Sequence, residues 1–120
     1  MKKILIVDDE PNIVMTLEYT FKKSNYEVFI ARDGQEALDI LKTNFPDVII
    51  LDIMMPMVDG FATLEQIRKD DNLQHTKVMF LSAKNKESDI EKGIALGADA
   101  YMTKPFSIKK VIEKVEELLN

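Results

Sequence analysis

Short apolar runs alternate with stretches of helical periodicity from one end of this chain to the other. The runs are rich in β-branched and aromatic residues and are apolar along most of their length, a pattern typical of strands in a parallel sheet that is covered on both faces. The predicted strands are Lys3–Val7, Glu27–Ala31, Val48–Leu51, Lys77–Leu81 and Ala100–Met102.

Five helices are predicted from apolar positions spaced three and four residues apart. Proline is favoured in the first turn of a helix and serine is a good N-cap, so Pro11 and Ser107 mark the starts of the first and last helices. The helices are predicted to begin at Pro11, after Gly34, after Asp59-Gly60, near Lys86 and at about Ser107, and the fourth to end near Gly97. Strands that alternate with helices through short connections predict right-handed βαβ units and therefore an α/β fold.

The composition is that of one ordinary globular domain. The chain has 120 residues, 46% of them hydrophobic and 31% charged, and no linker or low-complexity segment divides it, so we expect a single domain over residues 1–120. A net charge of -5 without a basic stripe argues against nucleic-acid or membrane binding by this segment. No apolar stretch approaches the ~20 residues of a membrane span or suits a signal peptide, and a cytoplasmic location is expected.

Acidic residues follow two of the predicted strands. Asp8 and Asp9 come directly after the first strand, and Asp52 comes directly after the third. Parallel strands open into a common crevice at their carboxyl ends, so these three carboxylates are expected within a few ångströms of one another. At that range they either hold a proton or need a cation, and an all-oxygen site suits Mg²⁺. Taken singly, Asp8 or Asp9 would suit a helix N-cap and Asp52 a turn, but a buried Asp52 needs a partner.

Lys104 and Ser82 follow two further strand ends. A carboxylate beside Mg²⁺ and an ammonium group can attack a phosphorus centre, which predicts Asp52 as a nucleophile that forms an aspartyl phosphate. Ser82 is then a hydrogen-bond donor to a phosphoryl oxygen, the alternative being turn chemistry. The alternative for Lys104 is a solvated lysine before Pro105, and the bond between these two residues is a candidate for a cis peptide.

Four motifs follow the strand ends in order along the chain. They are Asp8-Asp9, residues 51–60 (LDIMMPMVDG), Ser82-Ala83 and residues 97–106 (GADAYMTKPF). Together they resemble the receiver domains of two-component response regulators, over the entire chain. The resemblance implies a flavodoxin-like, doubly wound sheet of five parallel strands in the order 2-1-3-4-5, with five helices.

The resemblance also implies a role for each residue at the predicted site. Asp52 resembles the phosphoacceptor, Asp9 a direct Mg²⁺ ligand, Asp8 a ligand through water, and Met54 a ligand through its backbone carbonyl. Ser82 and Lys104 resemble the two groups that contact the phosphoryl oxygens, with the backbone N–H of Ala83 nearby. Tyr101 matches the aromatic switch position, and the alternative for it is a half-buried strand aromatic.

The partners implied are a sensor histidine kinase or phosphotransfer domain and a downstream effector or covalently linked output domain. The upstream partner would dock near Asn12, Ile13, Thr16, Pro105 and Phe106, for which the alternative is core and cap packing. The output surface would be formed by the fourth helix, the fifth strand and the fifth helix. We expect a phosphorelay switch that accepts phosphate and slowly loses it, without enzymatic turnover of another substrate.

Several alternatives and one departure from the family stay open. An aspartate-nucleophile phosphatase shares the acidic strand end, but its usual second aspartate is replaced here by Met54. A phosphorylation-independent binding module would be expected to have lost acidic residues, and a flavin site would need a phosphate loop that is missing after the first strand. Receivers that dimerise often carry two consecutive acidic residues where this chain has Asp99-Ala100, and an arginine on the last helix. The basic residues of the last helix are all lysines in this chain.

Overall fold

The structure, a computed structural model that describes residues 1–120, consists of a parallel five-stranded sheet with helices on both faces. The strands are β1 (Lys3–Val7), β2 (Glu27–Ala31), β3 (Val48–Leu51), β4 (Lys77–Ser82) and β5 (Ala100–Thr103). The helices are α1 (Pro11–Lys23), α2 (Gly34–Ile40), α3 (Gly60–Lys69), α4 (Glu87–Ala95) and α5 (Ile108–Leu119), with a 3-10 helix at Asp71–Leu73. The strand order β2-β1-β3-β4-β5 confirms the predicted fold class and topology.

Element boundaries follow the sequence signals closely. The first three strands have the predicted limits, whereas β4 and β5 each extend one residue further, to Ser82 and Thr103, which pair with each other. The Ser107 hydroxyl accepts a hydrogen bond from a backbone N–H of α5, which confirms the predicted N-cap. Asp33 and Asp59 cap α2 and α3 in the same way. The 3-10 helix was not predicted.

The sheet separates two hydrophobic cores. Alternate residues of β1, β3 and β4 point to opposite faces, so these central strands are apolar on both sides except at their end residues Lys3, Lys77 and Ser82. Leu5, Ile49 and Val78 belong to the core beneath α2 and α3. Ile4 and Val48 belong to the core on the other face, beneath α1 and α5. The two cores fix the register of the central strands and therefore the positions of the residues that follow them.

Arg68 on α3 holds the connections around β4 and β5 together. Its guanidinium donates hydrogen bonds to the carbonyls of Gly97 and Thr76, at 3.0 and 2.9 Å, and pairs with the Asp99 carboxylate at 3.0 Å. The same carboxylate oxygen accepts a hydrogen bond from the backbone N–H of Val78 at 2.9 Å. Asp99 therefore binds within the chain, although part of its side chain remains exposed. None of the helices combines the length and the apolar character that a membrane span requires.

Candidate functional site

Two buried carboxylates lie side by side at the carboxyl end of the sheet. Val7 of β1 is in register with Leu51 of β3, so the residues that follow, Asp8 and Asp52, are neighbours. The backbone N–H of Asp52 donates a 2.9 Å hydrogen bond to the Val7 carbonyl, which extends the ladder to the site. Each of the two aspartates is only 3% exposed. Strand register alone is therefore sufficient to bring the two carboxylates together away from bulk water.

Lys104 from the end of β5 reaches three carboxylates. Its Nζ lies 2.9 Å from Asp8 Oδ2, 2.9 Å from Glu10 Oε1 and 3.5 Å from Asp52 Oδ2. The backbone N–H of Lys104 donates to the Ser82 carbonyl at 2.8 Å, and the peptide bond between Lys104 and Pro105 is cis. The ammonium group thus occupies the space between acids that come from the ends of β1 and β3.

The electrostatics of the site reflect this crowding. Burial raises the pKa of Asp8 above its ordinary value of 3.8, and the bonds from the Glu10 backbone N–H and from Lys104 only partly oppose the rise. Burial would lower the pKa of Lys104, but its bonds to Glu10 and Asp8 outweigh burial and raise that pKa. One ammonium group is shared among three carboxylates, so it does not fully compensate any one of them.

The site has the chemistry of a hard-cation site. Asp8, Glu10 and Asp52 each offer a carboxylate oxygen, and these oxygens lie within 4.8 Å of one another. An oxygen-only set with an excess of negative charge suits Mg²⁺. Asp9 is not part of this group: it is exposed and lines an adjoining cleft of about 580 Å³. Met54 lines the same cleft and its side chain is exposed.

The remaining predicted site residues lie along β4, β5 and the connection after β4. Ser82 is fully buried, and its hydroxyl accepts a hydrogen bond from the Lys84 backbone N–H at 3.2 Å. Ala83 between them is exposed. The Tyr101 hydroxyl donates to the Lys84 carbonyl at 2.6 Å, and its ring packs on Phe80 with centroids 5.7 Å apart. Burial raises the pKa of Tyr101, and Asp89 adds to the rise.

Close packing of the start of α3 fixes the backbone position of Asp52. The Gly60 Cα approaches the Asp52 backbone so closely that a Cβ would collide with the Asp52 carbonyl oxygen and lie 2.6 Å from the Ile53 Cα. Glycine at the start of α3 therefore allows the helix to pack against the end of β3. Met57, in the loop between these elements, has a φ of 69° and is strongly exposed.

The predicted docking residues divide between surface and core. Asn12 and Thr16 are exposed on α1, where the Thr16 hydroxyl donates to the Asn12 carbonyl at 2.8 Å. Pro105 is exposed beside Lys104. Ile13 and Phe106 are half-buried and pack against the core beneath α1 and α5, so part of their role is the core packing that the sequence left open.

Two residues of the site carried no assignment from the sequence. Glu10 contacts Lys104 directly, and its signal was a third consecutive acid, after Asp8 and Asp9, immediately before α1. Lys84 joins Ser82 to Tyr101 through its backbone N–H and carbonyl. Its side chain has no part in these bonds, so no residue type at that position would have revealed them.

Known proteins resemble this chain over almost all of its length. The family model described as "Response regulator receiver domain" matches residues 4–116. The alkaline phosphatase synthesis transcriptional regulatory protein PhoP of Bacillus subtilis (strain 168) is 45% identical over 118 residues, which is 98% of this chain and 48% of that protein. This chain therefore spans about half of that relative's length.

Solved structures with the same fold include two relatives at moderate identity. The receiver domain of the Francisella response regulator 1452 is 37% identical, with a TM-score of 0.91, and the match covers 99% of this chain and 97% of that chain. The chemotaxis protein CheY4 of Vibrio cholerae is 31% identical, with a TM-score of 0.93 and 99% of both chains covered.

Proposed function

This chain belongs to the response regulator receiver domains, a family of phosphorelay signalling, and we propose that Asp52 is its phosphoryl acceptor. The observation that carries the proposal is the position of Lys104, whose ammonium group lies among the carboxylates of Asp8, Glu10 and Asp52 at the end of the sheet. A nucleophilic carboxylate beside a cation and a buried hydroxyl is the arrangement that phosphoryl transfer to an aspartate requires.

The two oxygens of Asp52 have different surroundings, which favours one of them as the nucleophile. Oδ1 accepts a 2.8 Å hydrogen bond from the backbone N–H of Ile53, whereas Oδ2 faces Lys104 at 3.5 Å. We assign the attack to Oδ2. With a phosphohistidine donor the new O–P bond forms as the N–P bond breaks, and the departing imidazole nitrogen keeps the electron pair of the broken bond.

Mg²⁺ is the cofactor that the acidic group suits. By the family resemblance Asp8, Asp9, Asp52 and the Met54 backbone carbonyl would hold it, and Glu10 lies in the same acidic group. When bound, the ion neutralises charge on the phosphoryl oxygens. The protein's own contribution is to bury the nucleophile and to supply Lys104 and Ser82, with the Ala83 backbone N–H, as partners for those oxygens.

The signal would reach the output surface through the connection between β4 and α4. Ser82 and Tyr101 both bond to the backbone of Lys84, so a movement of Ser82 toward a phosphoryl group changes the bonds available to Tyr101. Phosphorylation would then stabilise an active arrangement of α4, β5 and α5 that already exists as a minor state. This surface would engage a downstream effector or a linked output domain.

The upstream partner would be a histidine kinase or a phosphotransfer domain. It would approach over the amino end of α1 and the connection between β5 and α5, where Asn12, Thr16 and Pro105 are exposed. Ile13 and Phe106 would contribute the parts of their side chains that the core leaves uncovered. We propose no enzymatic turnover of a separate substrate, only acceptance of the phosphoryl group and its slow hydrolysis.

Acetyl phosphate with Mg²⁺ tests the proposal without any partner. Intact-mass spectrometry should find one phosphoryl group on the wild-type protein and none on Asp52→Asn. Asp71→Asn makes the same charge change at an exposed position of the 3-10 helix, away from the cleft beside the acidic site, and should be labelled like wild type. Unlabelled wild-type protein would contradict the proposal, and sustained hydrolysis of phosphate monoesters that depends on Asp52 would indicate a phosphatase instead.

A further inference from the structure

Glu10 occupies a helix-capping position but does not cap the helix. It is the N-cap residue of α1, where a short polar side chain such as aspartate ordinarily accepts a hydrogen bond from the first turn, and the longer glutamate side chain forms no such bond. Instead its Oε1 accepts a 2.9 Å hydrogen bond from Lys104 Nζ. The Glu10 side chain is 57% exposed and the Lys104 side chain only 10%, so a surface acid reaches inward to a buried ammonium group.

The contacts of Lys104 are unequal. Its Nζ is 2.9 Å from both Asp8 and Glu10 but 3.5 Å from Asp52, so the ammonium group is drawn toward the start of α1 and away from the nucleophile. An ammonium group has three protons to donate. A phosphoryl group on Asp52 would add oxygen acceptors at the far side of Lys104, and one of the shorter bonds would have to weaken for Lys104 to reach them.

Of the two shorter bonds, the one to Glu10 breaks at the lower cost in free energy. Asp8 is buried, and a buried carboxylate that loses its cation bears a large desolvation cost. Glu10 is more than half exposed, so its carboxylate can return to water, and solvent screens its attraction to Lys104 more than it screens that of the buried Asp8. The exposed member of the trio is therefore suited to act as a releasable restraint.

We propose that Glu10 is a positioning residue that holds Lys104 in its resting place and so opposes the engagement of Lys104 with a phosphoryl group on Asp52. This inference rests on the proposed function, because it concerns how readily the phosphorylated arrangement forms. Glu10 does not contact the reacting atoms. Its contact with Lys104 belongs to the resting arrangement, so losing it favours the phosphorylated one.

Beryllofluoride, which binds a carboxylate as a phosphoryl analogue, measures this bias at equilibrium. Its affinity is determined by calorimetry for each variant at Mg²⁺ concentrations that saturate that variant. Glu10→Gln should bind beryllofluoride about threefold to fivefold more tightly than wild type, the range that an ion pair of up to ~1 kcal/mol, screened by solvent on its Glu10 side, allows. Glu65→Gln removes the same charge from an exposed position on α3 that has no ion pair, and its affinity should match wild type.

A double-mutant cycle with Lys104→Ala separates positioning from general electrostatics. If Glu10 acts through Lys104, Glu10→Gln has no effect on beryllofluoride affinity in the Lys104→Ala background. An equal gain in both backgrounds would overturn the inference, as would unchanged or weaker binding by Glu10→Gln alone; both outcomes leave the proposed function standing. Failure of the wild-type protein to bind beryllofluoride would overturn the proposed function and this inference with it.

Discussion

The hydroxyl of Tyr101 donates a 2.6 Å hydrogen bond to the backbone carbonyl of Lys84, which joins β5 to the connection between β4 and α4. The N–H of the same residue donates to the Ser82 hydroxyl at 3.2 Å. A single residue's backbone thus links the Tyr101 side chain to the Ser82 hydroxyl. The proposed switch depends on this link.

Tyr101→Phe tests the link, because it removes the hydroxyl and keeps the ring against Phe80. We expect the free energy of unfolding to fall by about 1 kcal/mol, the usual net contribution of one hydrogen bond, and amide exchange to quicken at residues 83–86. Tyr19→Phe is the matched control, since Tyr19 is exposed on α1. Exchange in residues 83–86 as slow as in wild type would show that the bond does not restrain this connection.

Lys104→Ala should separate phosphoryl acceptance from switching. The nucleophile and the acidic group remain, so acetyl phosphate with Mg²⁺ should still label the variant. The phosphoryl group loses its ammonium partner, so phosphorylation should cause much smaller NMR shift changes in α4, β5 and α5 than in wild type. Lys109→Ala, an exposed lysine of α5 without an ion pair, should switch normally. Wild-type shift changes in Lys104→Ala would remove this lysine from the switch.

Gly60→Ala should displace the end of β3. The added Cβ would meet backbone atoms of Asp52 and Ile53, which cannot rotate away as a side chain could. We expect a loss of about 1–3 kcal/mol in the free energy of unfolding by urea, as for other overpacked sites, and slower labelling by acetyl phosphate. Glu65→Ala, at an exposed position of the same helix, should change neither quantity appreciably. Normal stability of Gly60→Ala would mean that α3 can shift without cost.

Asp8 gives the stability a pH dependence in the absence of Mg²⁺. Its pKa is raised above 3.8 chiefly by burial, so the folded protein binds the Asp8 proton more tightly than the unfolded chain does. Ionisation of Asp8 therefore lowers the free energy of unfolding as the pH rises above 3.8, the ordinary pKa that Asp8 has in the unfolded chain. Asp8→Asn should unfold with a larger free energy than wild type at pH 7, and the difference should shrink as the pH falls toward 4 and below. A difference that grows on acidification would contradict the raised pKa.

Much of the fold was predictable because burial on both faces of the sheet leaves a plain signal. The limits of β1 and β3 agree with the sequence prediction, since both strands are apolar up to their last residue and end where the first acid appears. The last residues of β4 and β5, Ser82 and Thr103, were missed because they are polar yet still paired with each other. The 3-10 helix at Asp71–Leu73 is too short to produce a periodic pattern.

The site was predictable in its location but not in its contacts. Parallel register places Asp8 beside Asp52, and this needed only the strand ends. Which of the next two acids turns toward Lys104 depends on the backbone angles between β1 and α1, and the structure turns Glu10 inward while Asp9 lies in the adjoining cleft. The role of Asp9 as a metal ligand stays a prediction, and so does the movement of Tyr101.

The identity of the phosphorylated residue is the most direct test that Asp52 carries the signal. Borohydride reduces an aspartyl phosphate to homoserine, and peptide mass spectrometry then locates the changed residue. After treatment of wild-type protein with acetyl phosphate and Mg²⁺, we predict homoserine at position 52 and at no other position, and none in Asp52→Asn. Homoserine at position 8 or 9, 2-amino-5-hydroxypentanoic acid at position 10, or a phosphoryl group that borohydride leaves intact on Ser82, would contradict the assignment of Asp52 as the acceptor.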